Sequence, residues 1–481
     1  MLTFKDNYLR IMVSCLKGSG IMNFSNEKDG AFLIGLSSTN EEICAASGRI
    51  STQKGSALDI YEKSHDRDKN ASLIGKVTNS GHTSTLEHCY YNLAFSNVSV
   101  IVEQFMIEFR LASFTVQSRR YVDFSDSGYY IPDFKDETIK ENYIKTMDYL
   151  FGEYQYLVDN GIAKEDARFV LPYCFKSNFF CSLNARELIL VIKSMVYGRG
   201  SKYPELKKIG LSLYEQCKEV TPGVFTDFEK RNENTVDVTD LSFLNCPVED
   251  ADTDDTILIS ATPDAEKVIA KSALIESGVY SLAQAEKITD NSENVSKIID
   301  SIMKSSRPRS LENALFTFKL GNVSLACLTH FTRHRMHSIQ IPNLDTCNRN
   351  KYVIPPALKE NPVLLERYKA CFEKTAQLYK EICACEPQNN YQIYALLSGN
   401  TIDIISTMNA RELLLFFKLR TCTRAQWEIQ IHANKMLNLL KDNSPVLFSK
   451  YGPSCYVNGK CPEGKFSCGK FSEITKKYSS N

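Results

Sequence analysis

From Tyr90 the chain reads YYNLAF, and Tyr91, Leu93 and Phe95 fall on one side of an alternating pattern. A period of two marks a half-buried strand. Phe316, Phe318 and Leu320 repeat the alternation far downstream. Beyond Asn97 the period changes. Val98, Ile101, Val102, Phe105, Met106 and Phe109 recur at steps of three and four, which predicts a core-packed helix with Asn97 as its cap. Arg110 and its downstream counterpart Arg335 then stand near the C-terminal end of such a helix. A second helix is predicted for NARELLLFFKLR, where Asn409 and Arg420 share a face about 16 Å apart by helical rise, enough to touch both ends of a large ligand.

The patterns recur because the chain repeats itself. NARELIL begins at Asn184 and NARELLL at Asn409, and 409 − 184 = 225. The NVS at Asn97 returns at Asn322, Leu86 of LEH returns as Leu311 of LEN, and Arg110 and Ser113 return as Arg335 and Ser338, all at the same spacing. Two tandem domains are therefore expected, residues 1–240 and 257–481, joined by residues 241–256. Within that junction NCPVEDADTDDT is acidic and aperiodic, as a solvated linker is.

Composition narrows the class. A chain of 481 residues with 43% hydrophobic and 24% charged residues is globular and too long for one ordinary core. Lys plus Arg equals Asp plus Glu at 57 each, so no global field draws nucleic acid or an anionic membrane, and neither is expected as a partner. No apolar run reaches membrane-spanning length, and MLTFKDNYLRIMVSC lacks the features of a signal peptide, so a cytoplasmic protein is expected. Most of the sixteen cysteines stand singly in apolar segments and read as buried reduced thiols. Cys455, Cys461 and Cys468 stand apart in CYVNGKCPEGKFSC. Three thiols at this spacing fall short of the four closely spaced ligands of a tetrahedral zinc site, so no metal is assigned and the stretch reads as a surface loop of free thiols.

Chemistry concentrates in RHRMHS, where Arg333, His334 and Arg335 follow an apolar helix. Three adjacent bases are either a solvated basic turn or, since guanidinium groups bind phosphate bidentately, a site for a phosphate-rich ligand. Together with RLASFTVQSRRY, GHTSTLEH (Gly81 to His88), ARFVLP (Ala167 to Pro172) and NARELLLFFKLRTCTRAQWEI, this motif resembles the flavin-dependent thymidylate synthases, whose signature runs Arg-His-Arg-x-x-Ser and continues to Ser-x-Arg-Tyr.

The resemblance implies an α+β fold: two tandem domains, each a mixed or antiparallel sheet flanked by helices. It implies an enzyme that methylates dUMP to dTMP, with FAD, NADPH as reductant and methylenetetrahydrofolate as carbon donor. In such an enzyme the protein positions and stabilises charge while the cofactor carries the hydride. Ser118, Arg120 and Arg168 match substrate-contacting positions, Ser118, Arg120 and Arg420 being the expected catalytic set and Arg333 and Arg420 further nucleotide contacts. His82, Ser84, Glu87, Arg333, His334, Arg335, Asn409 and Arg411 match flavin-binding positions. A capped turn before a strand accounts equally well for Gly-His-x-Ser, and a helix cap with an ion pair for Asn409 and Arg411.

Each repeat carries only part of the set. At 225 positions on from Ser118, Arg120 and Arg168 stand Asn343, Asp345 and Ile393; at 225 back from Arg333, His334 and Arg420 stand Glu108, Phe109 and Met195. The downstream counterparts of GHTSTLEH are taken as Arg307, Ser310, Glu312 and Asn313, and Gln426, Trp427 and Glu428 match the family in the second repeat only, with Trp427 expected in the core. The losses are complementary, and because the resemblance implies a tetramer whose sites combine different subunits, a homodimer acting as a pseudo-tetramer is expected, each site taking one set from each repeat. One departure is Val116, where the family carries a glutamate. It leaves a non-catalytic flavin- or nucleotide-binding regulator or scaffold as the alternative reading, while RNA binding is disfavoured by the balanced charge.

Overall fold

The computed structural model describes residues 29–244 and 255–479. The chain's opening fifteen residues, and Asn245 to Asp254 of the expected linker, lie outside the described residues. The chain divides into two compact units, Met1–Val248 with Pro356–Leu397 and Glu249–Pro355 with Ser398–Asn481. Residues 356–397 belong to the second repeat by register, yet they pack in the first unit.

Each unit holds one four-stranded antiparallel sheet with helices packed around it. In the first, β1 (Gly30–Leu36), β2 (Tyr90–Ser99), β3 (Ser113–Val116) and β4 (Lys176–Asn184) run in the order β1-β2-β4-β3. In the second, β5 (Thr256–Ala261), β6 (Leu315–Ser324), β7 (Ser338–Gln340) and β8 (Thr401–Asn409) run β5-β6-β8-β7. The predicted alternation holds: Tyr91, Leu93 and Phe95 on β2 and Phe316, Phe318 and Leu320 on β6 are buried. Phe95 pairs with Phe179 of β4, their rings stacked at 4.3 Å.

The cap of the following helix lies elsewhere than the apolar stripe suggests. Strand β2 runs through Asn97 to Ser99, and helix α1 spans Val100–Ile107 with Ser99 at its N-cap position. Asn97 instead absorbs an irregularity in the ladder between Phe95 and Val98, with φ 51°; Asn322 does the same on β6 with φ 58°. Asparagine tolerates the left-handed region that such a bulge demands, which is why it stands in both places. The Asn97 N–H donates to Asn178 Oδ1 at 2.9 Å, and the Asn322 N–H donates to the twin position, Asp403 Oδ1, at 2.8 Å.

The first unit also holds α2 (Glu137–Asp159), α3 (Ala185–Val196) and α4 (Pro204–Val220), and the second holds α5 (Leu325–Thr332), the twin of α1. Further along the chain come α6 (Pro362–Cys385), α7 (Ala410–Arg420) and α8 (Trp427–Asn443). The junction between strand and helix is clasped from outside by a buried carboxylate. Glu205 on α4 accepts from the Ser99 N–H at 2.9 Å and its hydroxyl at 2.5 Å. Glu428 on α8 accepts from the Ser324 N–H at 2.8 Å and its hydroxyl at 2.6 Å. Glu428 therefore has a twin in the first repeat, at 428 − 205 = 223 rather than 225, because the connection into α8 differs in length from that into α4. Burial pushes the Glu205 carboxyl up to about 7, with the bonds from Ser99 opposing the rise. Trp427, expected in the core, is only half-buried, because it is the first residue of α8 beside the capping residue Gln426.

Helices α2 and α6 are twins, 362 − 137 = 225, and they pack on each other in the first unit. Arg367 on α6 donates to Glu153 on α2 through Nε at 2.8 Å and Nη2 at 2.7 Å and lies 3.8 Å from the centre of the Tyr156 ring. In the same unit Pro172 bridges to Leu397, its own counterpart at 225, and the Tyr173 N–H donates to the Leu396 carbonyl. A position paired with its own copy is the geometry of an isologous contact.

One buried charge network distinguishes the two sheets. In the first, Arg119 Nη2 donates to Glu103 Oε1 at 2.5 Å and the Ser177 hydroxyl donates to Glu103 Oε2 at 2.5 Å, all three residues being buried. The same positions in the second repeat are Leu344, Leu328 and Ile402. Leu328 and Ile402 are buried and Leu344 is half-buried, so apolar side chains stand where the first repeat has its ion pair. Removing one partner alone, as in Arg119→Ala, should cost about 3–5 kcal/mol, whereas the triple variant Glu103→Leu, Arg119→Leu and Ser177→Ile should recover most of that loss. Urea unfolding of the two variants checks this, and a triple variant no more stable than Arg119→Ala counts against it.

Candidate functional site

The first repeat places Ser118 and Arg120 on a tight turn just past β3. The Val122 N–H closes the turn on the Ser118 carbonyl at 3.0 Å, and the Arg120 N–H approaches the Ser118 hydroxyl at 3.4 Å. Arg119 points inward to Glu103, which fixes the backbone so that half-buried Ser118 and Arg120 flank it. Arg120 forms an ion pair with the Glu165 carboxylate, while the Nε of buried Arg168 donates to the Glu165 carbonyl at 3.0 Å. Ser118, Arg120 and Arg168 thus form one cluster, organised by two residues that motif matching passed over, Arg119 and Glu165. Glu165 had a local signal, an acid three places before an arginine in KEDAR. Arg119 had none, since its partner is settled only by the fold.

In the second repeat the equivalent positions do other work. The Asn343 side chain accepts from the Asp345 N–H and caps the short turn Leu344–Thr346, and Ile393 is fully buried.

The arginine motif of the second repeat follows α5. Arg333 and Arg335 are exposed and His334 between them is buried. Arg420, at the end of α7, donates through Nε to His334 Nε2 at 2.9 Å and through Nη2 to the His330 carbonyl at 3.3 Å. Because a guanidinium only donates, Nε2 must accept, and the imidazole proton sits on Nδ1, which donates to Glu412 Oε1 at 3.1 Å. Burial first, and then the Arg420 charge, hold the His334 pKa below the ordinary 6.5 against the pull of Glu412. A neutral imidazole therefore positions Arg420. Glu412 is held in turn, its N–H donating at 2.8 Å to Asn409, the cap of α7.

The first repeat shows what happens when this relay is dismantled. Phe109 replaces the histidine and buried Met195 the second arginine, and Glu187, twin of Glu412, accepts instead from the Leu111 N–H at 3.2 Å. Burial raises the Glu187 pKa. Glu108, in place of Arg333, is paired with Arg199 at 2.6 Å, and that guanidinium also lies 4.7 Å from the centre of the Phe105 ring.

The remaining expected flavin contacts sit on the turn before each central strand. His82 and Ser84 are exposed, and Glu87 forms an ion pair with Arg186 at 2.6 Å, echoed by Glu312 with Arg411. Asn184 and Asn409 cap α3 and α7. In the second unit this turn borders a polar cleft of about 310 Å³ lined by Arg307, Arg309, Glu312 and Asn313 among others. Arg309 rather than Ser310 is the counterpart of Ser84, since 309 − 84 = 225. Arg307 and Arg309 share this cleft with two carboxylates, Glu276 and Glu312, and Glu312 stands 3.7 Å from Arg309 as well as pairing with Arg411.

The family described as thymidylate synthase complementing protein matches the chain twice, over residues 33–223 and 257–446. The chain belongs to this family. Flavin-dependent thymidylate synthases from Clostridium tetani and Geobacter sulfurreducens are 34% and 31% identical to it over 241 and 227 residues, each alignment covering 46% of this chain and 95% and 96% of the relative. That of Pyrococcus furiosus is 35% identical over 217 residues, 43% of this chain and 88% of its own. A thymidylate synthase of this family is thus about one repeat long, and this chain carries two. A UMP/dUMP methylase from Streptomyces cacaoi, 21% identical, superposes on 42% of the chain and 95% of its own with a TM-score of 0.36, too slight a likeness to carry an argument. Among the described residues no helix is long and apolar enough to cross a membrane.

Two of the buried histidines, His334 and His432, should make this family member acid-sensitive. His432, whose Nδ1 stands 3.3 Å from the Thr256 hydroxyl, is held by burial at about 4. Unfolded histidine takes up a proton near 6.5 and folded His334 and His432 do not, so their contribution is full above that pH and is lost as pH falls toward the folded values. For His432 the loss is about 3 kcal/mol. Urea midpoints should therefore fall between about pH 6.5 and 4, and less steeply in His432→Gln; an equal slope in the variant would refute the assignment.

Proposed function

We propose that the chain is a flavin-dependent thymidylate synthase that methylates dUMP to dTMP, with methylenetetrahydrofolate as carbon donor and NADPH as reductant, and that each working site takes its nucleotide set from one repeat and its arginine motif from the other. The observation that carries the proposal is the complementary loss. Arg120 and Arg168 converge on Glu165 in the first repeat with Ser118 on the same turn as Arg120, and the three twins are a capping asparagine, an aspartate and a core isoleucine. Arg420 is oriented by His334 in the second repeat, and its twin is a buried methionine. A binding relic has no reason to keep one half of each set. A homodimer acting as a pseudo-tetramer, with two competent sites and two decayed ones, follows from the proposal, and the isologous contact around Pro172 and Leu397 supports it.

The chain's own residues divide the work. Arg120 exchanges its Glu165 carboxylate for the phosphate of dUMP, and Arg168 and the Ser118 hydroxyl complete that end. Arg420, held by a neutral acceptor, keeps its full charge for the negative charge that develops on the pyrimidine. FAD, when bound, supplies the hydride that turns the transferred methylene into a methyl group. Exposed Arg333 and Arg335, the turn of His82, Ser84 and Glu87, and the helix start at Asn409 and Arg411 are the residues that would hold it. Their guanidinium, imidazole and hydroxyl donors fit a ligand with two phosphates.

Purified protein should carry or take up FAD, and anaerobic dUMP should perturb its visible spectrum. Arg120→Ala and Arg420→Ala should each lower turnover by about a hundredfold or more. A protein that neither holds nor binds FAD would sink the proposal. The second reading, a non-catalytic binder, is favoured by one observation, Val116 at the end of β3 in the place of a family glutamate. Gln117 does not stand in for it, since its carbonyl oxygen accepts from the Asn178 amide at 3.2 Å. If the enzyme reading is right, Val116→Glu should lower the KM for dUMP with little change in flavin content; a bound flavin whose spectrum ignores dUMP in both forms would favour the binder.

A further inference from the structure

The C-terminal tail carries chemistry that neither set uses. Three anchors fold it onto the end of α7. Ser454, which opens helix α9 (Ser454–Asn458), donates to the Lys418 carbonyl at 3.0 Å. Tyr478 donates to Asn434 Oδ1 at 2.7 Å and approaches the Thr421 carbonyl at 3.5 Å. Cys468 is hydrogen-bonded to the Thr423 side chain. Cys422 lies between Thr421 and Thr423, so the anchors converge on it. It is an electrostatic neighbour of Cys461 and Cys468, and Cys455 is a neighbour of both Cys422 and Cys461. The sequence supplied three thiols in the tail and lacked a fourth ligand. The fold supplies it from a position 455 − 422 = 33 residues upstream.

Two further observations point the same way. Tyr197 stands 225 positions before Cys422, and in the register of 223 that holds beyond α7 the counterparts of Cys455, Cys461 and Cys468 are Asn232, Val238 and Asn245, so none of the four has a cysteine twin in the first repeat. Thiols that merely filled space would be replaced one at a time. The loop that carries Cys461 and Cys468 turns on Gly459, Gly464 and Gly469, with φ of 70°, 52° and 73°. Nothing stands within 4 Å of where their side chains would begin, so the glycines serve the turns and not the packing.

We propose that Cys422, Cys455, Cys461 and Cys468 bind one zinc ion as a tetrathiolate site that staples the tail to the end of α7. Four S–H protons leave and four S–Zn bonds form, with no change of oxidation state, and Lys460, Lys465 and Lys470 offset the two net negative charges that result. Among the described residues no three ligating side chains already stand at metal-holding distance, so the ion draws the glycine turns inward and binding is coupled to ordering of the loop. With all four positions filled by protein the site is structural. Its location gives it a function, for Arg420 is two residues from Cys422.

The full chain, purified under reducing conditions and stripped of metal, should take up about one Co²⁺ with the intense visible bands of a tetrahedral thiolate site, and Zn²⁺ should abolish them. Cys468→Ser, at an exposed position, and Cys422→Ser should both lose the bands, while Cys385→Ser, at an exposed thiol in the other unit, keeps them. If Cys422→Ser fails to fold, Cys468→Ser still decides. Absence of Co²⁺ uptake, bands unchanged in Cys468→Ser, or recovery of the four thiols as disulfides from reduced protein would overturn the proposal.

Discussion

A buried glutamate holding a serine at the junction of strand and helix is the constraint on which both repeats depend. Glu205 grips Ser99 and Glu428 grips Ser324 by the same two bonds, within about 0.1 Å of each other in length. The clasp ties the N-cap residues of α1 and α5 to α4 and α8. The arginine motif of the second repeat follows α5, and the turn that carries Ser118 and Arg120 in the first follows α1 and β3. A buried carboxylate is costly unless its lone pairs are satisfied, and here the N–H and hydroxyl of one serine both donate to it. That is why this feature survives in both copies when the surrounding residues have diverged.

The divergence follows electrostatic logic. Losing Arg333 to Glu108 would leave an uncompensated acid, and Arg199 answers it. Losing His334 to Phe109 removes the partner of Glu187, and a backbone N–H takes its place. The buried network of Glu103, Arg119 and Ser177 has no ionic remnant in the other copy, because leucine and isoleucine replace all three together. Each change left no buried charge alone, which is what allows one copy of a site to decay while its fold persists.

Much of this was legible in the chain, and the exceptions have physical causes. The strands were readable from the alternation around Tyr91 and Phe316, and the repeat from one constant spacing. The cap was misplaced by two residues because Asn97 is a good cap in general and a better occupant of a left-handed bulge. Glu428 looked unmatched because the spacing shifts to 223 beyond α7. Glu165 and Arg119 escaped because their partners lie in other elements, and no local pattern reports a contact made by tertiary packing. The thiol cluster was visible in three parts of four for the same reason.

The placement of α6 carries a consequence for synthesis. The first unit ends in sequence at Val248 but is completed by residues up to Leu397, so 385 − 248 = 137 further residues must emerge before α2 gains the whole of α6 as its neighbour. At ordinary elongation rates that is roughly 7 to 30 s. During this interval Glu153 on α2 awaits the guanidinium of Arg367, and the nascent first unit presents an uncovered helix face to the ribosome's surroundings. Fusion spares the two copies the search for each other in solution, and it makes the earlier one wait for the later.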